Sequence, residues 1–151
     1  MKSIGGYFSI ELQDTGEYHK KALKLNSGRN AFEYILKLKK YKKIYMPLFT
    51  CDVMLEPIKK LNMKYELYHL DNQLDPIFEF EKVKDNEAFL FTNYFGLKSD
   101  TSLDISTLCQ NLIVDNAQAF FDFPLPGIDT IYSPRKFFGV PDGGYLYTTG
   151  E

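Results

Sequence analysis

The stretch Leu112-Ile113-Val114-Asp115-Asn116-Ala117-Gln118 decides the fold of this chain. Its first three residues form a continuous apolar run, the pattern of a strand that is covered on both faces. An acid follows the run directly. In α/β proteins, ligands bind beyond the carboxyl ends of the strands, so Asp115 is expected at a binding edge.

Strand and helix patterns alternate along the rest of the chain. We predict strands at residues 43–46, 64–69, 88–91, 112–114, 130–132 and 145–148, and helices at 31–40, 51–61 and 100–110. Strands separated by helices predict a three-layer α/β/α fold with a largely parallel sheet. Within the second helix, Pro57 is expected to start a new turn or to kink the helix.

Length and composition fit one globular domain. The chain has 151 residues, of which 44% are hydrophobic and 25% charged. A net charge of -2 gives no reason to expect nucleic acid or an acidic membrane surface as partner. The sequence contains neither a signal-peptide core nor an apolar stretch of membrane-spanning length. We therefore expect a cytoplasmic protein.

Metal-binding residue types are sparse, and no metal site is predicted. Cys51 and Cys109 lack CxxC spacing, so we expect reduced, mostly buried thiols. His19 and His69 stand far apart and are expected at surface or strand positions. A solvated face is expected to carry four acids, namely Glu79, Glu81, Asp85 and Glu87.

Lys136 follows the predicted strand at 130–132 and precedes a turn that contains Gly139, Gly143 and Gly144. A lone loop lysine is usually a solvated surface group. Together with Asp115, however, Lys136 completes the pair that pyridoxal phosphate requires: an amine for its aldehyde and an acid for its pyridine nitrogen. Asp115 could instead cap the turn that follows it, and one residue can serve both roles.

A possible phosphate cradle lies near the start of the first predicted helix. Free amides at a helix N-terminus, a glycine that allows close approach and an arginine all suit an anion. These features occur in Ser27-Gly28-Arg29-Asn30, although many helices begin this way. Ser133 could add a hydroxyl to the same phosphate, or it could be a simple turn residue before Pro134.

These motifs, taken in order, resemble the DegT/DnrJ/EryC1/StrS group of sugar aminotransferases, which have aspartate aminotransferase fold type I. Five segments carry the resemblance: Ser27 to Ala31, Met46 to Thr50, Asn93 to Gly96, Asp115 to Gln118, and Lys136 to Gly144. The last two, in the correct order, are the most specific. The resemblance covers residues 1–151 as part of the pyridoxal phosphate-binding large domain, with the small C-terminal domain absent.

The resemblance implies roles for individual residues around pyridoxal 5'-phosphate. Lys136 would be the Schiff-base lysine and would also transfer protons during the reaction. Asp115 would pair with the pyridine nitrogen, and Gln118 would approach the phenolic oxygen of the ring. Because Cys51 stands where the family has a stacking aromatic residue, Phe49 and Tyr94 are the candidates to replace it. The phosphate would be held by Ser27, Gly28, Arg29, Asn30 and Ser133.

The resemblance further implies amino transfer from an amino acid to a nucleotide-linked keto sugar, by a homodimer. Dehydratases of this fold usually have histidine in place of the lysine, so Lys136 favours amino transfer. One alternative is a truncated, non-catalytic remnant that binds pyridoxal phosphate or a partner chain without turnover. Another is an unrelated nucleotide-binding α/β protein, which the absence of GxGxxG and GxxxxGK[ST] motifs disfavours.

Overall fold

A computed structural model describes residues 16–150 as one eight-stranded sheet with helices on both faces. The strands are β1 Leu23–Leu25, β2 Lys43–Pro47, β3 Lys64–Leu70, β4 Pro76–Ile77, β5 Glu87–Thr92, β6 Leu112–Asp115, β7 Asp129–Tyr132 and β8 Gly144–Tyr147. The helices are α1 Gly28–Lys39, α2 Leu55–Lys60 and α3 Ser99–Leu108. Single 3-10 turns occur at Asp52–Met54, Phe80–Lys82, Tyr94–Gly96 and Pro134–Lys136.

The sheet has the order β1-β8-β7-β6-β5-β2-β3-β4. Its five central strands, from β7 to β3, are parallel, whereas β1, β8 and β4 pair antiparallel with their neighbours. The predicted largely parallel sheet is therefore confirmed, with antiparallel strands toward its edges. Every residue of β5 and β6 is buried, as their continuous apolar runs indicate.

Two apolar clusters cover the two faces of the sheet, which confirms the three-layer arrangement. On one face, Phe32 and Ile35 of α1 and Ile58 of α2 pack on strand residues that include Ile113. On the other face, Ile105 of α3 packs against a cluster that includes Val114. Neighbouring residues of β6 thus point to opposite faces, as the alternation of side chains along a strand requires.

Helix α1 confirms the predicted amphipathic segment and begins three residues earlier, at Gly28. The side chain of Ser27 caps the helix by accepting a hydrogen bond from the backbone N–H of Asn30 at 3.2 Å. Lys40 ends the helix in the left-handed conformation, with φ of 56°. The N-terminus of α1 lies at the carboxyl edge of the sheet, where Gly28 approaches Ser133 in the loop that follows β7.

The helix predicted at residues 51–61 is shorter than expected. A 3-10 turn at Asp52–Met54 comes first, and α2 runs only from Leu55 to Lys60. Pro57 is the third residue of α2, where the backbone nitrogen needs no partner within the helix. The proline therefore permits the helix and limits how early it can begin.

Of four predictions about burial, the structure confirms two and corrects two. Cys109 is buried as predicted, but Cys51 is exposed at the carboxyl edge of the sheet. Glu87 is buried at the start of β5, where its carboxylate accepts a hydrogen bond from Tyr45 Oη at 3.1 Å, so it does not belong to a solvated face. His69 lies exposed on β3, as expected.

His19 was expected at the surface or on a strand, and the structure shows that this is wrong. Its ring is fully buried in a turn. Nε2 lies 2.8 Å from the carbonyl oxygen of Phe120, and Nδ1 lies 3.2 Å from Tyr147 Oη. Both ring nitrogens thus have polar partners inside an aromatic cluster, and burial lowers the pKa of His19.

Within residues 16–150, no helix is both long and apolar enough to cross a membrane. The same part of the chain contains no group of three or more His, Cys, Asp or Glu side chains that could hold a metal ion.

Candidate functional site

Asp115 lies at the middle of the carboxyl edge of the sheet. In the strand register it sits between Thr92, the last residue of β5, and Ile131 of β7. The chain leaves β7 through Ser133 and turns back in the 3-10 turn Pro134–Lys136. This turn brings Lys136 to the same edge as Asp115, where parallel sheets place their ligands.

Two adjoining cavities open at this edge. The first, the Tyr94 cavity, has a volume of about 270 Å³. It is lined by Phe49, Thr50, Cys51, Met54, Thr92, Tyr94, Asp115, Ala117, Gln118 and Lys136. The second, the Ser27 cavity, has a volume of about 410 Å³. It is lined by Ser27, Gly28, Arg29, Cys51, Val53, Met54, Asp115, Ala117, Ile131, Ser133, Arg135 and Lys136. Asp115 and Lys136 line both cavities.

The carboxylate of Asp115 is nearly buried, with 8% of the residue exposed. Oδ1 accepts a hydrogen bond from the backbone N–H of Ala117 at 2.9 Å, which closes the turn after β6. No described residue bonds Oδ2. Burial raises the pKa of Asp115, while the Ala117 amide and the charge of Lys136 act in the opposite direction. Asp115 therefore stabilises its turn through Oδ1, while Oδ2 has no hydrogen bond from residues 16–150.

Gln118 and two aromatic rings also line the Tyr94 cavity. Gln118 Oε1 accepts a hydrogen bond from the backbone N–H of Phe95 at 3.1 Å. Tyr94 Oη donates to the carbonyl oxygen of Phe49 at 2.6 Å, and the two rings stack at 5.7 Å. Burial raises the pKa of Tyr94 to about 12, so its phenol stays protonated at neutral pH.

The Ser27 cavity contains most of the predicted phosphate cradle. Ser27, Gly28 and Ser133 meet there, and a Cβ on Gly28 would lie 3.7 Å from Cβ of Ser133. The first amides of a helix have no partner inside the helix, and this arrangement suits an anion at the N-terminus of α1.

Two predicted members of the cradle are engaged elsewhere. Arg29 lines the cavity, but its guanidinium forms an ion pair with Glu56 at 2.5 Å. The side chain of Asn30 donates to Asn26 Oδ1, and Asn30 does not line either cavity. Glu56 lies on α2, whereas Asn26 directly precedes the cradle segment.

A glycine pair holds the cradle against the Lys136 loop. Gly143 adopts φ of 114°, and its backbone N–H donates to the carbonyl oxygen of Asn26 at 2.8 Å. A Cβ on Gly144 would lie 2.5 Å from the carbonyl carbon of Ser27, closer than any side chain allows. The glycine turn therefore permits the close approach of β8 to the start of α1.

Thr92 is a site residue that the sequence interpretation missed. It is 6% exposed and lines the Tyr94 cavity. Its Oγ1 interacts with the Tyr94 phenol and acts to lower the pKa of that group, but it forms no well-aligned hydrogen bond with a described residue. Buried hydroxyls normally have a well-aligned partner, so Thr92 is a candidate to contact a polar ligand in this cavity. The available signal was its position, because Thr92 directly follows the strand predicted at 88–91.

A larger groove of about 890 Å³ lies on the other side of the glycine turn. Its walls include Tyr18, Phe138, Val140 and Tyr145. Neither Asp115 nor Lys136 lines it, so the two residues of the predicted cofactor pair lie at the smaller cavities instead.

No protein-family model matches the chain, and no curated protein sequence matches it. Solved structures do match. DesV of S. venezuelae superposes with a TM-score of 0.69 at 18% identity, over 86% of this chain and 40% of DesV. The sugar aminotransferase CalS13 from Micromonospora echinospora gives 0.67 at 15% identity, over 85% of this chain and 42% of CalS13. The dehydratase ColD, solved with GDP-perosamine, gives 0.58 at 18% identity, over 84% of this chain and 39% of ColD.

At these identities the similarity shows the fold alone. The chain has the α/β fold seen in sugar aminotransferases, and it spans about two fifths of the length of the structures it matches.

Proposed function

We propose that this chain binds pyridoxal 5'-phosphate as part of a sugar aminotransferase, with Lys136 as the lysine that attaches the cofactor. One observation carries the proposal. Lys136 and Asp115 line the same two cavities at the carboxyl edge of the sheet. An amine and an acid around one cavity are the two groups that this cofactor requires.

The described residues fit the cofactor in three respects. Asp115 keeps one oxygen free in a nearly buried position, which suits a protonated heterocycle nitrogen. The Oγ1 of Thr92 is a buried polar atom without a well-aligned hydrogen bond to a described residue. The Ser27 cavity joins this space to the N-terminus of α1, which suits a phosphate. The volumes, about 270 and 410 Å³, are comparable with those of small-molecule sites.

Bound pyridoxal phosphate supplies an aldehyde that condenses with amines and a ring that withdraws electrons from the substrate carbon. The residues of the chain supply position and protons. Asp115 Oδ2 would hold a proton on the ring nitrogen. Lys136 Nζ would take the proton from the α-carbon of the amino donor and return a proton to complete the transfer. Gln118 Nε2 would donate to the phenolic oxygen, because Oε1 is already bonded to Phe95.

We extend the proposal to the substrates and the assembly. The fold is shared with the sugar aminotransferase CalS13, which supports a keto sugar, carried on a nucleotide, as amino acceptor and an amino acid as donor. The likeness to ColD, solved with a nucleotide-linked sugar, supports the same class of ligand. A homodimer is part of the same proposal.

One observation favours a second function, in which the chain binds pyridoxal phosphate without turnover. Phe49 and Tyr94 stack on each other, and the exposed thiol Cys51 lines both cavities. If neither ring stacks on the cofactor, the bound cofactor lacks the stabilisation that a stacked aromatic ring provides.

The purified chain, titrated with pyridoxal phosphate, tests both functions by its visible absorbance. The expected result is a saturable band in the wild type and in Lys59→Ala, an exposed lysine on α2, and no such band in Lys136→Ala. A band of equal strength in Lys136→Ala would contradict the proposal. Adding L-amino acids to the loaded chain then separates the two functions, since only an aminotransferase loses the band as the amino group is transferred.

A further inference from the structure

A third cavity lies on the opposite face of the sheet from the two described above. It has a volume of about 190 Å³ and is called the Asn116 cavity here. Asn116 and Val114 are two residues apart, so both point to the α3 face, whereas Asp115 points to the other. The polar residues that line it are Asn93, Ser99, Ser102, Asn116, Asp122 and Thr130.

The hydrogen-bond donors around this cavity are already used. Ser102 Oγ donates to the carbonyl oxygen of Ser99 at 2.7 Å, and Thr130 Oγ1 donates to that of Ile128 at 3.1 Å. The amide of Asn93 and the hydroxyl of Ser99 both donate to Asp122 Oδ2. What these groups can still offer to a ligand is oxygen lone pairs.

Asn116 adds a buried oxygen with no partner. The residue is 3% exposed, and its Oδ1 forms no hydrogen bond with any described residue. Tyr132 Oη donates its proton to the carbonyl oxygen of Asp122 at 2.9 Å, so it can only accept from Asn116. The Asn116 side chain interacts with the Tyr132 phenol and acts to lower its pKa, which fits donation by the amide nitrogen and leaves Oδ1 as the unpaired atom.

Asp122 brings a negative charge to the same lining. Its carboxylate accepts from neutral donors, and among residues 16–150 no Lys, Arg or His forms an ion pair with it. This carboxylate lies beside several oxygen lone pairs and has no positively charged partner among the described residues. A cation bound among these oxygens would stabilise the arrangement.

We infer that the Asn116 cavity binds a monovalent metal cation, Na⁺ or K⁺, through oxygen atoms that include Asn116 Oδ1 and a carboxylate oxygen of Asp122. Hard cations prefer carboxylate, carbonyl and hydroxyl oxygens, which are the groups present. One carboxylate matches one positive charge, and the described residues contain no cluster of three acids, histidines or cysteines that would favour a divalent or transition metal.

The bound cation would stabilise the carboxyl edge of the sheet. The backbone N–H of Asn93 donates to the carbonyl oxygen of Asp115 at 3.0 Å, and that of Asn116 donates to the carbonyl oxygen of Ile131 at 2.8 Å. The cavity thus contacts the two loops that follow β5 and β6. The inference does not depend on pyridoxal phosphate, since the cation would bind the cofactor-free chain.

Thermal unfolding of the cofactor-free chain in NaCl, KCl and N-methyl-D-glucammonium chloride, at one ionic strength, tests this inference. The organic cation is too large for the cavity and serves as the reference. At a metal concentration ten times Kd, the unfolding midpoint is expected to rise by about 3 to 6 °C in NaCl or KCl. Asp122→Asn and Asn116→Leu are expected to lose the rise. Asp104→Asn, which removes the same charge from the exposed side of α3, is expected to keep it.

Equal midpoints of the wild type in the three salts would overturn the inference and leave water as the occupant of the cavity. A rise that persists in Asp122→Asn would overturn it as well. Equilibrium dialysis of the wild-type chain against ²²Na⁺ or ⁸⁶Rb⁺ gives an answer even if a variant fails to fold. One saturable ion per chain is expected, and no retained ion would contradict the site.

Discussion

The backbone N–H of Phe95 donates to Gln118 Oε1 at 3.1 Å, and this bond determines which end of the Gln118 amide is free in the Tyr94 cavity. Phe95 and Gly96 both adopt left-handed backbone conformations, with φ of 58° and 71°. Such a conformation is uncommon for a bulky residue and persists where the surroundings impose it. The turn therefore leaves Nε2 of Gln118 as a donor for a ligand.

Gln118→Glu tests this donor. The substituted carboxylate can still accept from Phe95 but cannot donate to the cofactor. Loss of one hydrogen bond, about 1.4 kcal/mol, is expected to weaken pyridoxal phosphate binding about tenfold, as measured by absorbance titration. Gln73→Glu, an exposed change of the same kind, should leave Kd unaltered. Equal affinities for wild type and Gln118→Glu would contradict the role.

Asp115→Asn should affect stability and cofactor binding in opposite directions. Because burial raises the pKa of Asp115, the cofactor-free fold loses stability as pH rises through this raised pKa. Asparagine keeps the bond from Ala117 and removes the buried charge. The thermal midpoint of the cofactor-free variant should exceed that of wild type at neutral pH, and the difference should vanish below the unfolded carboxyl pKa of about 3.9.

The same variant should bind pyridoxal phosphate more weakly, because asparagine cannot hold a proton on the ring nitrogen. Asp104→Asn on exposed α3 is the control for a change of net charge. A lower midpoint for Asp115→Asn at neutral pH would show that the carboxylate stabilises the cofactor-free fold, contrary to its burial.

The glycine pair beside the cradle predicts a contrast between two alanine variants. In Gly144→Ala, the new Cβ would collide with backbone atoms of Ser27, which cannot rotate away. The free energy of unfolding is expected to fall by about 1–3 kcal/mol in urea titrations. Gly139→Ala meets nothing within 4 Å and should change stability by less than about 1 kcal/mol. Similar losses in both variants would rule out the close contact as the cause.

His19 predicts an acid-sensitive fold. Its pKa is lowered by burial, so the unfolded chain takes up the proton more readily. Stability should be fully present above the unfolded pKa of about 6.5 and should decline below it, by up to about 1.4 kcal/mol per pH unit. His19→Gln should flatten this slope, whereas His69→Gln on exposed β3 should retain it. The measurement is unfolding free energy against pH, and identical slopes in all three proteins would exclude His19.

The central strands were predictable because burial on both faces leaves continuous apolar runs. Strands β1 and β4 were not, since they have three and two residues and depend on neighbours for their pairing. The burial of His19 could not be predicted from the sequence either. Its partners Phe120 and Tyr147 lie more than a hundred residues away in sequence.

For the site, residue type and position after a strand were enough to select Asp115 and Lys136 as candidates. Tertiary contacts decided what the sequence left open. Arg29 is engaged by Glu56 on another helix, an outcome that does not follow from the local motif, whereas the bond of Asn30 to Asn26 is local to the turn. Thr92 also follows a predicted strand, but a threonine at that position does not by itself indicate a binding role, and its burial beside the cavity became visible only in the structure.

Peptide mapping after borohydride reduction of the chain with one equivalent of pyridoxal phosphate is the most direct test of a shared site. The predicted result is a cofactor label on Lys136 alone, weakened in Asp115→Asn and absent in Lys136→Ala. Label spread over surface lysines, or unchanged by either substitution, would contradict a cofactor held between these two residues.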